Sequence, residues 1–348
     1  MPPRVAPLGR IPALTRRRLC VAVARQSRYY SITTTTDSAA APLITVTDVQ
    51  APGSGFIRVL ELNRPAARNA ISRSLLSALR AEIDDVQSQY TSDGQELPPS
   101  SSPNGGNQQQ RQGPTRALVL ASALDTSFCA GADLKERKGF TQEETAAFLK
   151  NLRETFTALS SLPVPTISAI SSLALGGGLE LALSTHFRVL TSTAAVGLPE
   201  TRLGIIPGAG GTFRLPALIG LPRARDLVLT GRRVSAAEAY FLGIADRLVE
   251  VLPDDAEGGS KEHNEQSEKK ALEAVPAKAR RAALAEAVRL AMEICEGGPV
   301  AIRAGLQAVS WAREEVENAM YQRVVATEDR DEALKAFAEK RKPVFKGR

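Results

Sequence analysis

Three consecutive glycines, Gly176-Gly177-Gly178, stand between a short apolar run, Leu173-Ala174-Leu175, and the helix-forming stretch Leu179-Glu180-Leu181-Ala182-Leu183. Nothing else in the chain restricts its fold as tightly. A strand ends, the backbone turns at once and a helix begins, which suits glycine because it tolerates positive φ and close backbone approach. A tight turn alone would account for the glycines. Glu180 adds chemistry: it is a lone carboxylate among apolar neighbours, and burying it is costly unless it is paired, hydrogen-bonded or shifted in pKa. The unpaired N–H groups of a helix N-terminus beside it favour a ligand that develops negative charge.

Strand and helix patterns alternate around this turn. Gly55 to Leu62 alternates as a strand, and a helix follows with Ile71, Leu75, Leu79, Ile83 and Val86 at three- and four-residue spacing and Ser72 as its N-cap. Ala117–Ala121 reads as a short buried strand, and Thr141 with Glu144 forms a capping box for a helix ending near Ser160. Thr166–Ile170 and Phe187–Thr191 read as strands, and Ser235 with Glu238 opens another helix. The alternation predicts an α/β fold. From Ala282 the pattern turns helical through Cys295, Val300–Trp311 and Glu314–Phe337. The chain thus divides into a core over residues 43–250 and a C-terminal helical region over 271–348. That region carries more apolar positions than one layer needs, so it is expected to pack on another subunit as well as on the core. Two polar segments interrupt the pattern. Residues 91–114, built of Ser, Pro, Gly, Asn and Gln, are expected to be a disordered insertion, and residues 253–270 a hydrophilic linker.

The formal charge of +6 suggests a basic protein, but its location matters more than its size. Residues 1–36 hold seven arginines and no acid, and end in hydroxyl-rich Ser31-Ile32-Thr33-Thr34-Thr35-Thr36. That is the composition of a mitochondrial transit peptide. Arg28-Tyr29-Tyr30-Ser31 resembles a matrix processing site, with cleavage after Tyr30. Taking the seven arginines from +6 leaves a mature charge of −1. A matrix location is expected. The weakly apolar stretch Leu162–Leu183 contains Pro163, Pro165 and Glu180, so no membrane span is expected. Cys20, Cys129 and Cys295 are too scattered for a disulfide framework or a zinc site. Of two histidines, His263 lies in a hydrophilic run and His186 reads as structural; with no G-x-S-x-G turn, a Ser-His-Asp hydrolase is not expected.

Two further segments carry chemistry. Val196 to Thr212 places a second acid, Glu200, in an apolar, glycine-rich loop. Its Gly208-Ala209-Gly210 lacks the third glycine of a dinucleotide turn, since residue 213 is Phe. Arg202 is a possible salt-bridge partner for Glu200. Phe128-Cys129-Ala130-Gly131-Ala132-Asp133-Leu134-Lys135 follows the Ala117–Ala121 strand, and its small residues permit close backbone approach.

Taken in order, these motifs resemble the enoyl-CoA hydratase/isomerase (crotonase) family over roughly residues 43–348. The matching segments are Leu62-Asn63-Arg64-Pro65 with Asn69-Ala70, FCAGADL, LPVPTISAI, ALGGGLELAL, GLPETRLGIIPGAGGT and the ending EKRKPVFKGR. FCAGADLKER and LALGGGLELAL are most similar to the mitochondrial methylglutaconyl-CoA hydratase subgroup, which includes AU-rich RNA-binding homologues. The resemblance implies repeated ββα units with a C-terminal helical trimerisation region, in a homotrimer or a dimer of trimers. It implies an acyl-CoA substrate and no separate cofactor, coenzyme A being part of the substrate. The oxyanion hole then falls on the backbone N–H groups of Ala132 and Gly177, and the catalytic acids on Glu180 and Glu200. Coenzyme A falls against Ala130, Ala132, Asp133, Leu134, Lys135, Gly176 and Gly177.

An isomerase of this fold needs one proton-shuttling carboxylate, so two favour hydration. The implied reaction is addition of water to an enoyl-CoA, with 3-methylglutaconyl-CoA of leucine degradation ahead of the short-chain enoyl-CoA of fatty-acid β-oxidation. RNA binding is doubtful. On the helix from Ser72 to Gln87, Arg73, Ser77 and Ala81 occupy the face where lysines are expected, and phosphate contacts dominate nucleic-acid affinity. For a distal substrate carboxylate, Arg202 is the sequence's candidate partner.

Overall fold

The computed structural model describes residues 41–91, 93–98, 113–253 and 265–348. The expected transit peptide lies outside the described residues. Among them, ten strands follow in chain order: β1 (Ile44–Gln50), β2 (Phe56–Leu62), β3 (Thr115–Ser122), β4 (Ser127–Cys129), β5 (Thr166–Ile170), β6 (Leu173–Leu175), β7 (Phe187–Thr191), β8 (Ala195–Gly197), β9 (Arg233–Ser235) and β10 (Arg247–Val249). The helices are α1 (Arg73–Gln87), α2 (Leu134–Arg137), α3 (Gln142–Ser160), α4 (Gly177–Ala182), α5 (Gly211–Ile219), α6 (Leu221–Thr230), α7 (Ala236–Leu242), α8 (Glu265–Cys295), α9 (Pro299–Trp311), α10 (Glu314–Val325) and α11 (Glu328–Ala338).

Six strands form one sheet in the order β1-β2-β3-β5-β7-β10, and four form a second in the order β4-β6-β8-β9. In the larger sheet only β1 and β2 pair antiparallel. Each of the pairs β3–β4, β5–β6 and β7–β8 delivers one strand to each sheet before the chain turns into helix. This is the repeated ββα winding that the resemblance implies. Its consequence for function is that β4 and β6 lie side by side, so the segments leaving them meet.

The strands of the larger sheet are buried on both faces. Along β3, Leu118 and Leu120 join one core while Ala117, Val119 and Ala121 join the other, as the two-residue period of a strand requires. The first core takes Leu75, Leu76, Leu79, Ile83 and Val86 from α1, each worth about 1.5–3 kcal/mol over exposure. Ser72 caps α1 by accepting from the Leu75 N–H at 3.1 Å, and the Thr141–Glu144 box caps α3, as the sequence predicts.

The second core lies beneath the C-terminal helical region. Ala283, Ala287, Leu290 and Ala291 of α8 pack against Ile57, Val59, Ala117, Val119, Ala169 and Val189 of the sheet. Small side chains on both surfaces let helix and sheet approach closely. α8 is therefore a layer of the core. It also begins at Glu265, inside the expected linker, and continues through Pro276.

The insertion is corrected in part. Residues 91 and 93–98 form a hydrogen-bonded turn, with Thr91 N donating to Gln95 O at 2.9 Å and Leu97 N to Gln89 O at 2.9 Å. Glu96 pairs with Arg116 and, at 2.7 Å, with buried Arg303 of α9, whose Nε donates to Gly94 O at 2.9 Å. This end of the segment is thus ordered, because two arginines hold it.

Candidate active site

The Asn63-Arg64-Pro65 and Asn69-Ala70 motif proves to be a clamp. Asn69 adopts a left-handed backbone (φ 56°) and is fully buried. Its Oδ1 accepts from Arg64 N at 2.8 Å, and its Nδ2 donates to Ser122 Oγ at 2.9 Å and Phe128 O at 3.0 Å. Arg64 in turn donates to Ala70 O and pairs with Asp133 at 2.7 Å. The clamp lays Ile71 beside the segment after β4: Ile71 N donates to Gly131 O at 2.8 Å and Asp133 N to Ile71 O at 3.0 Å. In such a bridge the intervening N–H, that of Ala132, points to the opposite side. Replacing Asn69 by Ala strands several of these groups and should lower unfolding free energy by about 2–4 kcal/mol, read from the urea midpoint. A shift within error of zero would show that the motif is not a clamp.

On that opposite side stands the glycine turn. Gly176 takes φ 53° and ψ −127°, which disfavours a side chain, and Glu180 N donates to Gly176 O at 3.0 Å as the first bond of α4. The N–H groups of Gly177 and Gly178 precede that bond and have no intrahelical acceptor. A Cβ on Gly178 would fall 2.2 Å from Cys129 O, so only glycine lets α4 sit this close to β4. A Cβ on Gly177 would fall 3.4 Å from Ala132 N, which fixes how near the two expected donors lie to each other.

Glu180 is 2% exposed. Its Oε1 accepts from the N–H groups of Ala209 and Gly211, both at 2.8 Å. Gly211 opens α5, and Gly210 before it has φ 116°, so the carboxylate sits at a helix N-terminus. The Gly208-Ala209-Gly210-Gly211 run therefore anchors a carboxyl group, a side chain of the protein itself. Burial pushes Glu180 up, and the Gly211 and Ala209 N–H groups with the charges of Arg214 and Arg153 pull it back.

Glu200 begins a short 3₁₀ turn after Pro199. Its Oε1 overlies the glycine turn, 3.0 Å from where a Gly176 Cβ would be, and its buried Oε2 has no hydrogen-bond partner among the described residues. Burial pushes Glu200 up to about 7, the charge of Glu180 adding to the effect against the pull of its own backbone N–H. The two acids thus differ: one is held by N–H donors, and the other keeps an unsatisfied oxygen. Environments that push two carboxyls apart suit one to accept a proton and the other to give one.

Both glutamates, Ala130, Ala132, Leu134, Gly176 and Gly177 line one cavity of ≈ 970 Å³. Asp133 and Lys135 do not line it. The Asp133 carboxylate caps α2 through the Lys135 and Glu136 N–H groups and pairs with Arg64. Arg202 does not reach Glu200; its Nε donates to Thr230 O at 2.9 Å. Among the described residues, the cations of the cavity wall are Arg137, Arg153 and Arg214, none of which the sequence singles out. A G-A-G-G run opening a helix is a readable anion-site signal, but nothing local identifies Glu180 as its occupant.

The remaining candidates for chemistry are held in structural roles. The Thr166 N–H donates to His186 Nδ1 at 3.1 Å, and burial, with Arg188 nearby, drives this histidine down to about 4. Burial pushes the Cys129 thiol up to about 12 and the Cys295 thiol up to about 11. Arg73 lies 4.0 Å over the Phe140 ring and pairs with Glu144, so the one base on the expected lysine face of α1 is already engaged.

Comparison with known proteins agrees with this geometry. Residues 107–348 match the enoyl-CoA hydratase/isomerase family. Methylglutaconyl-CoA hydratase 1, mitochondrial, of Pyricularia oryzae is 66% identical over 325 residues, spanning 92% of this chain and 90% of that protein. An enoyl-CoA isomerase/hydratase of Zymoseptoria tritici is 55% identical over 307 residues, 88% of each. The crystal structure of an enoyl-CoA hydratase from Bacillus anthracis superposes with a TM-score of 0.67 at 34% identity, covering 88% of this chain and all (100%) of that one. With its ββα winding, its glycine turn and these relatives along most of its length, the chain belongs to the enoyl-CoA hydratase/isomerase family.

Proposed function

We propose that this protein adds water across the 2,3 double bond of an enoyl-CoA thioester, with 3-methylglutaconyl-CoA as its preferred substrate. The observation that carries the reading is that two buried carboxyls of unlike environment line a single cavity together with Ala132 and Gly177. In this reading the Ala132 and Gly177 N–H groups receive the thioester oxygen and stabilise the negative charge that develops there, worth about 10²–10³ in rate per donor. Glu180, held by its two N–H bonds, takes a proton from the water whose oxygen bonds to C3. Glu200 supplies the proton that bonds to C2 as the π pair moves there. Proton passage from Glu180 to Glu200 restores both. Each positioned group contributes roughly 10²–10⁴.

The coenzyme A part rests against Ala130, Ala132, Leu134, Gly176 and Gly177 in this reading, with Lys135 on the adjoining exposed turn. The chemistry draws on no cofactor apart from the substrate. A homotrimer, or a pair of trimers, gives partners to exposed apolar side chains such as Phe241, Trp311 and Phe337, which are 79%, 60% and 86% exposed. The arginine-rich leader and a mitochondrial relative support a matrix location.

The test is kcat/KM for 3-methylglutaconyl-CoA against crotonyl-CoA on one preparation. The expected ratio exceeds about 10, since a site built for a polar group rejects the analogue lacking it. A ratio below one makes this a general short-chain hydratase, and hydration of neither substrate removes the assignment.

A further inference from the structure

We infer that Arg137 reads the distal carboxylate of the substrate's acyl group and so sets the enzyme's preference for a dicarboxylic enoyl-CoA. The inference rests on the hydratase reading above and supplies what that reading lacks, a cation for the far end of the acyl chain.

Three arginines line the cavity, and two are committed. Arg153 Nε donates to Gly208 O at 2.7 Å, and Arg214 Nη1 donates to Ala209 O at 2.9 Å, so both brace the loop that anchors Glu180. The Arg137 guanidinium has no hydrogen bond, ion pair or aromatic contact among the described residues, although it is half-buried in the same wall. A partly desolvated guanidinium left without an acceptor in a cavity calls for an anionic partner, and its planar fork matches a carboxylate in bidentate fashion.

Its root is well placed for that. Arg137 ends α2, the turn that starts just after Ala132, one of the two expected carbonyl donors. Asp133 caps that turn and is itself tied to Arg64, while Arg137 N donates to Asp133 O at 3.0 Å. The chain that fixes the thioester oxygen therefore also fixes the base of this side chain. The rest of the wall includes the apolar side chains of Leu149, Leu152, Ile206 and Phe213, which suit the carbon skeleton and offer a second carboxylate no charge of their own. Arg202, the other candidate, faces Thr230 and lies outside the cavity.

The test compares wild type, Arg137→Gln and Arg137→Lys on 3-methylglutaconyl-CoA and crotonyl-CoA, with KM and kcat separated. In Arg137→Gln the ratio of the two kcat/KM values should fall about 10- to 100-fold, chiefly through KM for the dicarboxylic substrate. Arg137→Lys should recover part of the ratio, because it restores the charge without the fork. A wild type that prefers 3-methylglutaconyl-CoA, with an Arg137→Gln variant that keeps that preference, overturns the inference alone. Equal loss on both substrates places Arg137 on the shared coenzyme A moiety and overturns it as well. A wild type that prefers crotonyl-CoA overturns the substrate reading, and this inference with it.

Discussion

Glu180→Gln should cut hydration turnover by about 10²–10⁴-fold while the fold and acyl-CoA affinity persist. The substitution is close to isosteric. The Gln amide oxygen can still accept from the Ala209 and Gly211 N–H groups, now 2.8 Å from Oε1, so the loop and α5 keep their positions. What disappears is the second oxygen's ability to take a proton from water. Single-turnover rates with crotonyl-CoA, together with acyl-CoA affinity by calorimetry, separate the two. Turnover within a few-fold of wild type removes Glu180 from the chemistry, whereas loss of affinity in step with turnover makes it a structural anchor.

Glu200→Gln should lower turnover by a similar factor and, unlike the first variant, make the protein more stable at alkaline pH. Burial raises this carboxyl from 4.5 to about 7 in the folded state. At pH below 4.5 it is protonated both folded and unfolded, and its ionisation costs nothing. Between about 4.5 and 7 the unfolded chain releases the proton first, so stability falls with rising pH. Above 7 the folded protein carries the full penalty, on the order of 2–3 kcal/mol. Gln carries no charge and escapes it. The variant's gain in Tm over wild type should therefore be near zero at pH 4.5 and largest at pH 8. Wild-type hydration should also decline as pH rises through about 7, when Glu200 loses the proton it delivers, and the variant should lack that limb. A flat pH profile in wild type, or an equal Tm difference at both pH values, would contradict the role given to Glu200.

The contrast between these two glutamates is partly visible in the sequence. Each stands alone in an apolar or glycine-rich segment, which is enough to mark it as an acid under constraint. Their different environments are not visible, because they come from afar. Glu180 gains its donors from 29 and 31 residues away, and the glycine turn beneath Glu200 lies on a different strand exit. Arg202 illustrates the limit. It is two residues from Glu200 and of opposite charge, yet the 3₁₀ turn sends it to the Thr230 carbonyl.

The polar interruptions teach the same lesson in reverse. Residues 253–270 read as a hydrophilic linker, but α8 begins within them at Glu265 and runs on through Pro276 to the alanine face that packs against the sheet. The beginning of the first insertion is mostly polar, with Leu97 exposed, yet Glu96 is gripped by Arg303 from 207 residues away. Local composition is blind to such partners.

By itself, then, the sequence determined the alternation of strand and helix, the Ser72 and Thr141 caps, the glycine turn and the two isolated acids. Each of these depends on neighbours within a few residues, where propensity, capping and sterics act. Only the tertiary structure decided that the glycine turn faces Ala132 across paired strands, that a helix N-terminus holds Glu180 and that, among the described residues, one oxygen of Glu200 finds no hydrogen-bond partner and Arg137 is the cavity cation left without one. Those outcomes depend on which buried groups find partners, and the partners are brought together by the ββα winding from segments distant in the chain.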